Sequence, residues 1–489
     1  MKIPKIILII YLTALITRLW GFNNHPIYSD EITWMTRGKE LIYATFKGNT
    51  DFFKTAWWTY RGETPAIGLP LSIVSGISQI VLAGQSKYSL HFLSDITAAR
   101  LPVIFLTSLI SVFVYKLGLY LNKKVALLSG LLYALNPVLI GIEKWAINDG
   151  LLTLFSLASI YYFVNAKFDK KFSLIPSIFL TLAFLTKPLG LLVTIVWFVH
   201  VLFIKGNFNH KKIFFKAFAL NVISFYVLTQ IIWPLSWFRP FISIFDYLYR
   251  VYFFVQGNYL ENFYFGISST NPHWSYYLFQ VFSRLTELTV AGILIGFFNL
   301  NKKYWPFLIY ASIYFIAISF SSQKIDIRYA LPTIPILLII SSEGINKIFS
   351  VSSSKLKDTF KFIVFVLILI PLMWLGSTHI YFNNFVGGAK GAQRFVLVGW
   401  CTSTKESFNY LNKISATGSV FVAGCPSVTS YYTSSLITTN DFTKANYIIL
   451  ESYVVNQHPD SEIIRYLKNK KPIFEVSEKN AVLAFIFKN

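Results

Sequence analysis

Long apolar runs separated by short polar segments dominate this chain. A helix needs roughly 20 mainly apolar residues to cross a bilayer, and eleven runs reach or approach that length. We place them at residues 4–22, 99–121, 125–141, 148–166, 172–186, 188–204, 217–235, 276–298, 304–320, 329–346 and 361–381. The pattern predicts a polytopic α-helical membrane protein with about 11 transmembrane helices, in a range of about 11–13.

Lys and Arg are shared unevenly between the loops that join these runs. Since basic residues accumulate in cytoplasmic loops, we predict a plasma-membrane protein with a cytoplasmic N-terminus. An odd number of spans then places the C-terminus outside. The rich loops contain Lys2, Lys5, Lys123, Lys124, Lys167, Lys170, Lys171, Lys205, Lys211, Lys212, Lys216, Lys302, Lys303, Lys347, Lys355, Lys357 and Lys361, and the opposite short loops contain Lys144, Lys187, Arg239, Arg250, Lys324 and Arg328.

One further apolar segment, Ala66–Gly84, does not fit this alternation. Counted as a simple crossing, it would invert every later loop. We therefore predict an interfacial or re-entrant helix within a long first external loop, residues 23–98. Such segments are tolerated at membrane depth only where protein or a water-filled cavity covers them, so a cavity is expected nearby.

The pattern changes after residue 381. Helical patterns at Lys405–Ile414 and Asp460–Asn469 alternate with strand-like runs, which predicts a small extracytoplasmic α/β domain at 382–489 beside a transmembrane domain at 1–381. The strand-like runs are Ser419–Ala423, Tyr447–Glu451, Pro472–Val476 and Ala481–Phe487. Both cysteines, Cys401 and Cys425, lie in this region, where a disulfide is one possibility.

Composition narrows the functional classes. Only 13% of the 489 residues are charged and 54% are apolar, whereas soluble domains carry about 25% charged residues. The net charge of +22 would suit nucleic acid, but the basic residues form short clusters between apolar runs rather than one face. That distribution follows membrane topology, so we expect no nucleic-acid partner.

Candidate chemistry is concentrated on the predicted external side. Asp30 and Glu31 follow the first span, and two adjacent carboxylates resist joint burial unless a cation compensates them. A structural interpretation is equally open, in which Ser29 or Asp30 caps a helix and the acids favour its dipole. Arg100 opens the second span, where it is either an interfacial anchor or a phosphate ligand.

Three more ionisable residues stand at external span ends. They are Asp149, Lys187 and Arg328. Ionisable groups near membrane depth are costly and often functional. Glycosyl transfer from a lipid phosphate needs a carboxylate base for the acceptor and cations for the departing phosphate, which is the set found here.

These residues resemble those of the protein O-mannosyltransferase superfamily of GT-C type. That superfamily includes the bacterial transferases that add 4-amino-arabinose to lipid A and the sugar transferases of rhizobial lipopolysaccharide. The resemblance covers most of the chain and depends on the order of several short motifs. They are Asp30-Glu31, Arg100, Asn136-Pro137, Lys144-Trp-Ala-Ile-Asn-Asp149, Leu182-Ala-Phe-Leu-Thr-Lys187, Arg328-Tyr-Ala-Leu-Pro332, Tyr381-Phe-Asn-Asn-Phe-Val-Gly-Gly388 and Leu397-Val-Gly-Trp400.

The resemblance implies a GT-C fold and an inverting transfer on the external face from a polyprenyl-phosphate-linked sugar. Asp30 matches the proposed catalytic base, with Glu31 beside it. Arg100 matches a residue that holds the carrier phosphate, and Lys187 and Arg328 are further candidates for that task.

The metal requirement is left open by the resemblance. Asp149 matches an acidic position that orients the site or, in some members, binds a divalent metal. Where many relatives have a histidine before the interfacial helix, this chain has Glu63-Thr64-Pro65, and Glu63 is a candidate acidic ligand in its place.

Two other functions remain as alternatives. A transporter or flippase of lipid-linked glycans would show broken or charged segments near the midplane and often a repeated half. A polymer ligase or oligosaccharide transferase would use the same chemistry with a longer donor. The expected partners in the leading hypothesis are the bilayer, the polyprenyl-phosphate sugar and an extracytoplasmic lipid, glycan or protein acceptor.

Overall fold

The computed structural model describes residues 4–49, 67–83, 93–166, 168, 172–204, 208–257, 261–321, 324, 326–351, 354–432 and 436–489. Helices form at the apolar runs of the sequence. They are α1 (Lys5–Leu19), α2 (Ser29–Lys47), α3 (Leu69–Ser78), α4 (Asp95–Leu121), α5 (Lys123–Leu135), α6 (Pro137–Ile142), α7 (Asn148–Val164), α8 (Ile175–Thr186), α9 (Val193–Phe203), α10 (Phe208–Ile232), α11 (Pro234–Phe238), α12 (Ser243–Gln256), α13 (Tyr276–Arg284), α14 (Glu287–Phe297), α15 (Trp305–Ser319), α16 (Ile334–Val351) and α17 (Ser354–Leu369).

Four described helical segments are long and apolar enough to cross a membrane. They are Lys5–Asn24, Asp95–Leu121, Lys211–Ile232 and Ile327–Ser350. The pair α13 and α14 is a fifth candidate and is bent by 119°. Because these assignments use only length and composition, the count of eleven spans stays a prediction.

Two runs that we predict as single spans are broken helices. Run 125–141 is interrupted at Asn136, because Pro137 lacks an N–H and disfavours helical backbone in the residue before it. Run 276–298 bends where Thr286 caps the second helix of the pair. The Asn136 break leads directly to the loop and helix start that carry several candidate residues.

Helix α3 occupies the segment that we predict to be interfacial or re-entrant. It packs against α2, and the two backbones approach closely because Gly38 and Gly76 face each other. A Cβ atom at either position would collide with the opposite helix. The contact fixes α2, whose first turn carries Asp30 and Glu31; the orientation of α3 relative to a bilayer stays a prediction.

The C-terminal part contains an α/β unit at the predicted positions. Its sheet has the order β4-β3-β5-β7-β6, with β3 parallel to β4 and β5, and β7 antiparallel to β5 and β6. All five residues of the central strand β5 are buried, as expected for a strand covered on both faces. The elements are a separate hairpin of β1 (Asn262–Tyr264) and β2 (Ile267–Ser269), then α18 (Gly388–Ala392), α19 (Thr404–Lys413), β3 (Gly418–Ala423), β4 (Leu436–Thr438), β5 (Tyr447–Glu451), α20 (Ser452–Gln457), α21 (Glu462–Leu467), β6 (Phe474–Glu478) and β7 (Ala481–Lys488).

The two cysteines form the disulfide that the sequence left as one possibility. Cys401 and Cys425 are buried and their Cα atoms lie 5.3 Å apart. The bond joins Cys401, in the segment 397–402 that borders a cavity beside Tyr28, to Cys425, two residues after β3.

Candidate active site

Helix α2 begins so that its first turn presents two adjacent carboxylates. Tyr28 is the N-cap, and its backbone N–H donates to Glu31 Oε2 at 3.0 Å. The interpretation that Ser29 or Asp30 is the cap is wrong, because Glu31 at the third helical position bonds back to the residue before Ser29. Successive helix residues point about 100° apart, so Asp30 and Glu31 face different partners.

Glu31 is fully buried and forms a two-pronged ion pair with Arg100. Arg100 Nε lies 2.8 Å from Glu31 Oε1, and Nη2 lies 2.6 Å from Oε2. Glu31 Oε1 also accepts the backbone N–H of Ala146 at 2.8 Å. Bidentate arginine–carboxylate pairs are among the strongest charge-assisted hydrogen bonds, and this one joins α2, α4 and the loop before α7.

Arg100 also holds the loop between α1 and α2. Its Nη1 donates to the carbonyls of Phe22 and His25, both at 2.9 Å, and its Nη2 donates to the carbonyl of Pro26 at 2.8 Å. A guanidinium has five N–H groups, and these bonds with those to Glu31 use all five. The phosphate-binding role that we predict for Arg100 is therefore not supported by its contacts.

Asp30 belongs to a second cluster, in which acids and cations alternate. Its Oδ2 lies 2.6 Å from Arg328 Nη1, and the same Nη1 lies 3.9 Å from Asp149 Oδ2. Asp149 Oδ1 in turn lies 2.6 Å from Lys187 Nζ. The Asp30 side chain is 35% exposed, whereas that of Arg328 is 5% exposed. We call these four residues the charged cluster.

Local sequence explains how three separate segments reach this cluster. Asp149 lies in the first turn of α7, where a carboxylate favours the helix dipole. Lys187 is the extended residue at which Pro188 ends α8. Arg328 lies in the 3-10 turn Ile327–Thr333, which Asp326 caps. Four of the predicted site residues thus meet, while Glu63 lies outside the described residues.

Aromatic rings frame the cations of the charged cluster. The guanidinium of Arg328 lies 4.8 Å from the ring centre of Tyr28 and 5.1 Å from that of Tyr329. Lys187 Nζ lies 4.4 Å from the same Tyr329 ring. Cation–π contacts of this kind hold a cation in place without neutralising it, so the positive charge stays available to a ligand.

A small polar cavity of about 20 Å³ lies beside Tyr28, between the helices and residues 397–402. Its volume suits about one water molecule. Two buried polar atoms near it, Gln280 Oε1 and Arg284 Nε, have no hydrogen-bond partner among the described residues. Trp400 closes the cavity from the α/β side and stacks on Tyr453. Orphaned buried groups beside a cavity are unusual in folded proteins and point to an absent polar partner.

Gln280, Arg284 and Trp400 are residues that the sequence analysis did not select. Arg284 and Gln280 interrupt the apolar run 276–298, and an ionisable residue within such a run is itself a functional signal. That signal was available for Arg284, whereas Gln280 is polar but not ionisable. Trp400 ends the motif Leu397-Val-Gly-Trp400, but the motif did not indicate a place beside this cavity, because that place depends on how the α/β unit docks.

The described carboxylates of the charged cluster already have cationic partners. Asp30 pairs with Arg328 and Asp149 pairs with Lys187, so neither offers a carboxylate that lacks a counter-charge to a divalent ion. One other group of metal-ligating types occurs in the described part of the chain, Cys401, Cys425 and Glu451, but its cysteines are disulfide-bonded.

A family model described as dolichyl-phosphate-mannose-protein mannosyltransferase matches residues 81–238. That stretch includes Arg100, Asp149 and Lys187. Among solved structures, the chain is similar over 98% of its length to 97% of ArnT from Cupriavidus metallidurans bound to undecaprenyl phosphate, with a TM-score of 0.55 and 13% identity. The family model covers about a third of the chain, and the chain has the GT-C fold of these structures.

A second GT-C structure gives the same result. The apo oligosaccharyltransferase of Archaeoglobus fulgidus matches with a TM-score of 0.52 and 11% identity, over 91% of this chain and 69% of that chain. At these identities the likeness shows the fold alone. No curated protein sequence matches this GT-C chain.

Proposed function

We propose that this GT-C protein is a glycosyltransferase that moves a sugar from a polyprenyl-phosphate-linked donor to an extracytoplasmic lipid, glycan or protein acceptor. The observation that carries the proposal is the charged cluster, in which a partly exposed carboxylate adjoins buried cations. One of the similar structures is bound to undecaprenyl phosphate, which supports a polyprenyl-phosphate-linked donor.

In this proposal Asp30 is the general base. It is the most exposed member of the charged cluster, so its carboxylate is the one that an acceptor can reach. The acceptor hydroxyl or amine gives its proton to Asp30 as its oxygen or nitrogen bonds to the anomeric carbon. The bond from that carbon to the phosphate oxygen breaks, and the polyprenyl phosphate leaves with the electron pair. A single displacement inverts the anomeric centre.

Lys187 and Arg328 are the residues that we assign to the departing phosphate. Arg328 Nε has no hydrogen-bond partner among the described residues, and Asp149 holds Lys187 in place through a contact of 2.6 Å. Preorganised cations of this kind stabilise charge where it develops in the transition state. Asp149 orients both cations. Arg100 and Glu31 are positioning residues, because their contacts fix the loop and helix that carry Asp30.

The membrane arrangement is part of the same proposal. We infer that residues 1–381 form a transmembrane catalytic domain with eleven spans in the plasma membrane, a cytoplasmic N-terminus and an external α/β domain at 382–489. Residues 397–402 border the cavity beside Tyr28, which is consistent with an α/β unit on the same side as the charged cluster.

An oligosaccharide transferase is the second candidate, since the chain also has the fold of the Archaeoglobus enzyme. The chemistry at Asp30 would be the same, and the length of the glycan moved distinguishes the two. Glycans released from envelope lipids and proteins of cells with and without the gene, measured by mass spectrometry, would differ by one sugar or by several.

The decisive assay measures polyprenyl phosphate released from a radiolabelled lipid-linked sugar by the purified full-length protein. We expect Asp30→Asn to lower turnover by at least about 100-fold, the usual contribution of a general base. Asp95→Asn is the matched control, because Asp95 also pairs with a cation at 2.6 Å and its side chain is 36% exposed. Full turnover in Asp30→Asn would overturn the assignment, and a flippase would move donor without releasing the phosphate.

A further inference from the structure

A cleft and a groove outside the charged cluster share one border. The cleft, of about 840 Å³, lies between residues 385–395 and the α/β unit. The groove, of about 340 Å³, lies between the bent pair α13–α14 and the helix α15. Phe282 lines the groove and Phe385 lines the cleft, and their rings stack with centres 5.8 Å apart.

The groove has the character of a surface that meets hydrocarbon. Large side chains on its wall are strongly exposed, among them Leu278 at 45%, Leu294 at 60% and Phe297 at 47%. An apolar patch of this kind on a membrane-crossing element is expected to lie against lipid tails.

The cleft has a mixed wall, in which apolar side chains such as Phe263, Val455 and Phe485 lie beside charged and polar ones. Lys390 and Arg394 line it with Gln393 and Asn456, and no acidic residue is among the described residues of its wall. Ser452 Oγ is buried there without a hydrogen-bond partner in the described part of the chain. Two cations with no carboxylate beside them on the described wall of the cleft, together with polar donors, suit a phosphate ester.

We infer that the cleft and the groove together bind one anionic glycerophospholipid. One of its acyl chains lies in the groove, the stacked rings of Phe282 and Phe385 lie beside its glycerol region, and its phosphate group contacts Lys390 and Arg394. Apolar and cationic surfaces joined end to end match the two ends of such a lipid. A soluble anion would leave the exposed groove uncovered, and a neutral lipid would leave the two cations unused.

The site would connect the membrane to the α/β unit. The segment that carries Lys390 and Arg394 follows the last apolar run and joins β1 through the bridge between Tyr264 and Val396. A lipid bound there would stabilise the docking of residues 397–402 beside the charged cluster. The inference concerns lipid binding and does not depend on the proposed glycosyl transfer.

Photolabelling in detergent tests the inference. The purified full-length protein is titrated with phosphatidylglycerol that carries a diazirine in its acyl chain, and labelled peptides are mapped by mass spectrometry. We expect saturable labelling within residues 276–315. The double variant Lys390→Gln with Arg394→Gln should weaken binding about 25-fold, at about fivefold for each cation near a lipid surface.

Two matched controls separate this site from general effects. Lys413→Gln with Lys468→Gln removes the same charge from the same α/β unit outside the cleft and should leave the affinity unchanged within about twofold. Ser312→Trp, which fills the groove, should abolish the labelling, whereas Ile223→Trp on the exposed face of α10 should not.

Four outcomes would overturn the inference. The first three are unchanged affinity in the cleft double variant, equal loss in the Lys413 and Lys468 control, and equal labelling by phosphatidylcholine with the same diazirine chain. Competition by glycerol phosphate as strong as that by phosphatidylglycerol would also overturn it, because the cleft would then take a soluble anion. None of these measurements uses a sugar donor, so failure here is distinguishable from failure of the proposed function.

Discussion

Replacing Arg100 tests whether this residue positions the site or binds phosphate. Arg100→Met leaves the Glu31 carboxylate buried without its cation, and removing one partner of a buried pair costs about 3–5 kcal/mol. It also removes the donors to the carbonyls of Phe22, His25 and Pro26, at roughly 1 kcal/mol each. We expect a loss of at least about 5 kcal/mol in the free energy of unfolding.

The partner variant separates the two contributions. Glu31→Gln combined with Arg100→Met removes both charges, so only the loss at the three carbonyls should remain, at about 3 kcal/mol. Unfolding followed by tryptophan fluorescence in detergent gives the free energy of unfolding of all four proteins in this double-mutant cycle: the wild type, the two single variants and the double variant. Glu31→Gln alone leaves the Arg100 charge buried without its partner and should cost about 3–5 kcal/mol. The predicted coupling energy is therefore at least about 5 kcal/mol in magnitude, above the usual range for residues in contact.

Binding of polyprenyl phosphate gives the second readout. Arg100→Lys keeps the positive charge but loses the planar guanidinium with its five N–H donors, so this variant should be less stable than the wild type. Its folded fraction should bind polyprenyl phosphate normally. Arg328→Lys should instead weaken that binding. An Arg100→Lys protein of normal stability that no longer binds polyprenyl phosphate would refute the positioning role and restore the phosphate role.

Two further predictions concern the α/β unit. Burial raises the pKa of Glu451 to about 7, above its unfolded value. The contribution of Glu451 to the free energy of unfolding should therefore be full below about pH 4.5 and fall by about 3 kcal/mol as pH rises through 7. Thermal melts of Glu451→Gln from pH 5 to 8 should lack this dependence on pH. Reducing Cys401–Cys425, or replacing both by Ser, should cost about 3 kcal/mol for a loop of this length, measured as a lower melting temperature; an unchanged melt would contradict the disulfide.

Much of the architecture could be predicted because burial leaves a strong pattern in sequence. The strands at Tyr447–Glu451 and Ala481–Lys488 appear where short apolar runs predicted them. Helices appear at the long apolar runs for the same reason. The break at Asn136 could also be predicted from the sequence, since an Asn-Pro pair favours a helix boundary. The apolar run alone does not show this break.

The pairing of charges could not be predicted from the sequence. Asp30 and Glu31 are neighbours with the same chemistry, and only the rotation of α2 decides that one is buried against Arg100 and the other is partly exposed beside Arg328. That rotation follows from packing at Gly38, which involves a contact between segments far apart in sequence. Side-chain type predicted which residues meet near the site. It did not predict which of them hold the fold together and which of them face a substrate.

The central claim is that Asp30 is the base in a displacement at the charged cluster, and its most direct test is a single-turnover measurement. Enzyme in excess over labelled donor and saturated with acceptor isolates the chemical step, while donor affinity is measured separately by equilibrium binding. Asp30→Asn should bind donor with an unchanged Kd and transfer its sugar at least about 100-fold more slowly. Transfer at the wild-type rate by this variant would contradict the account.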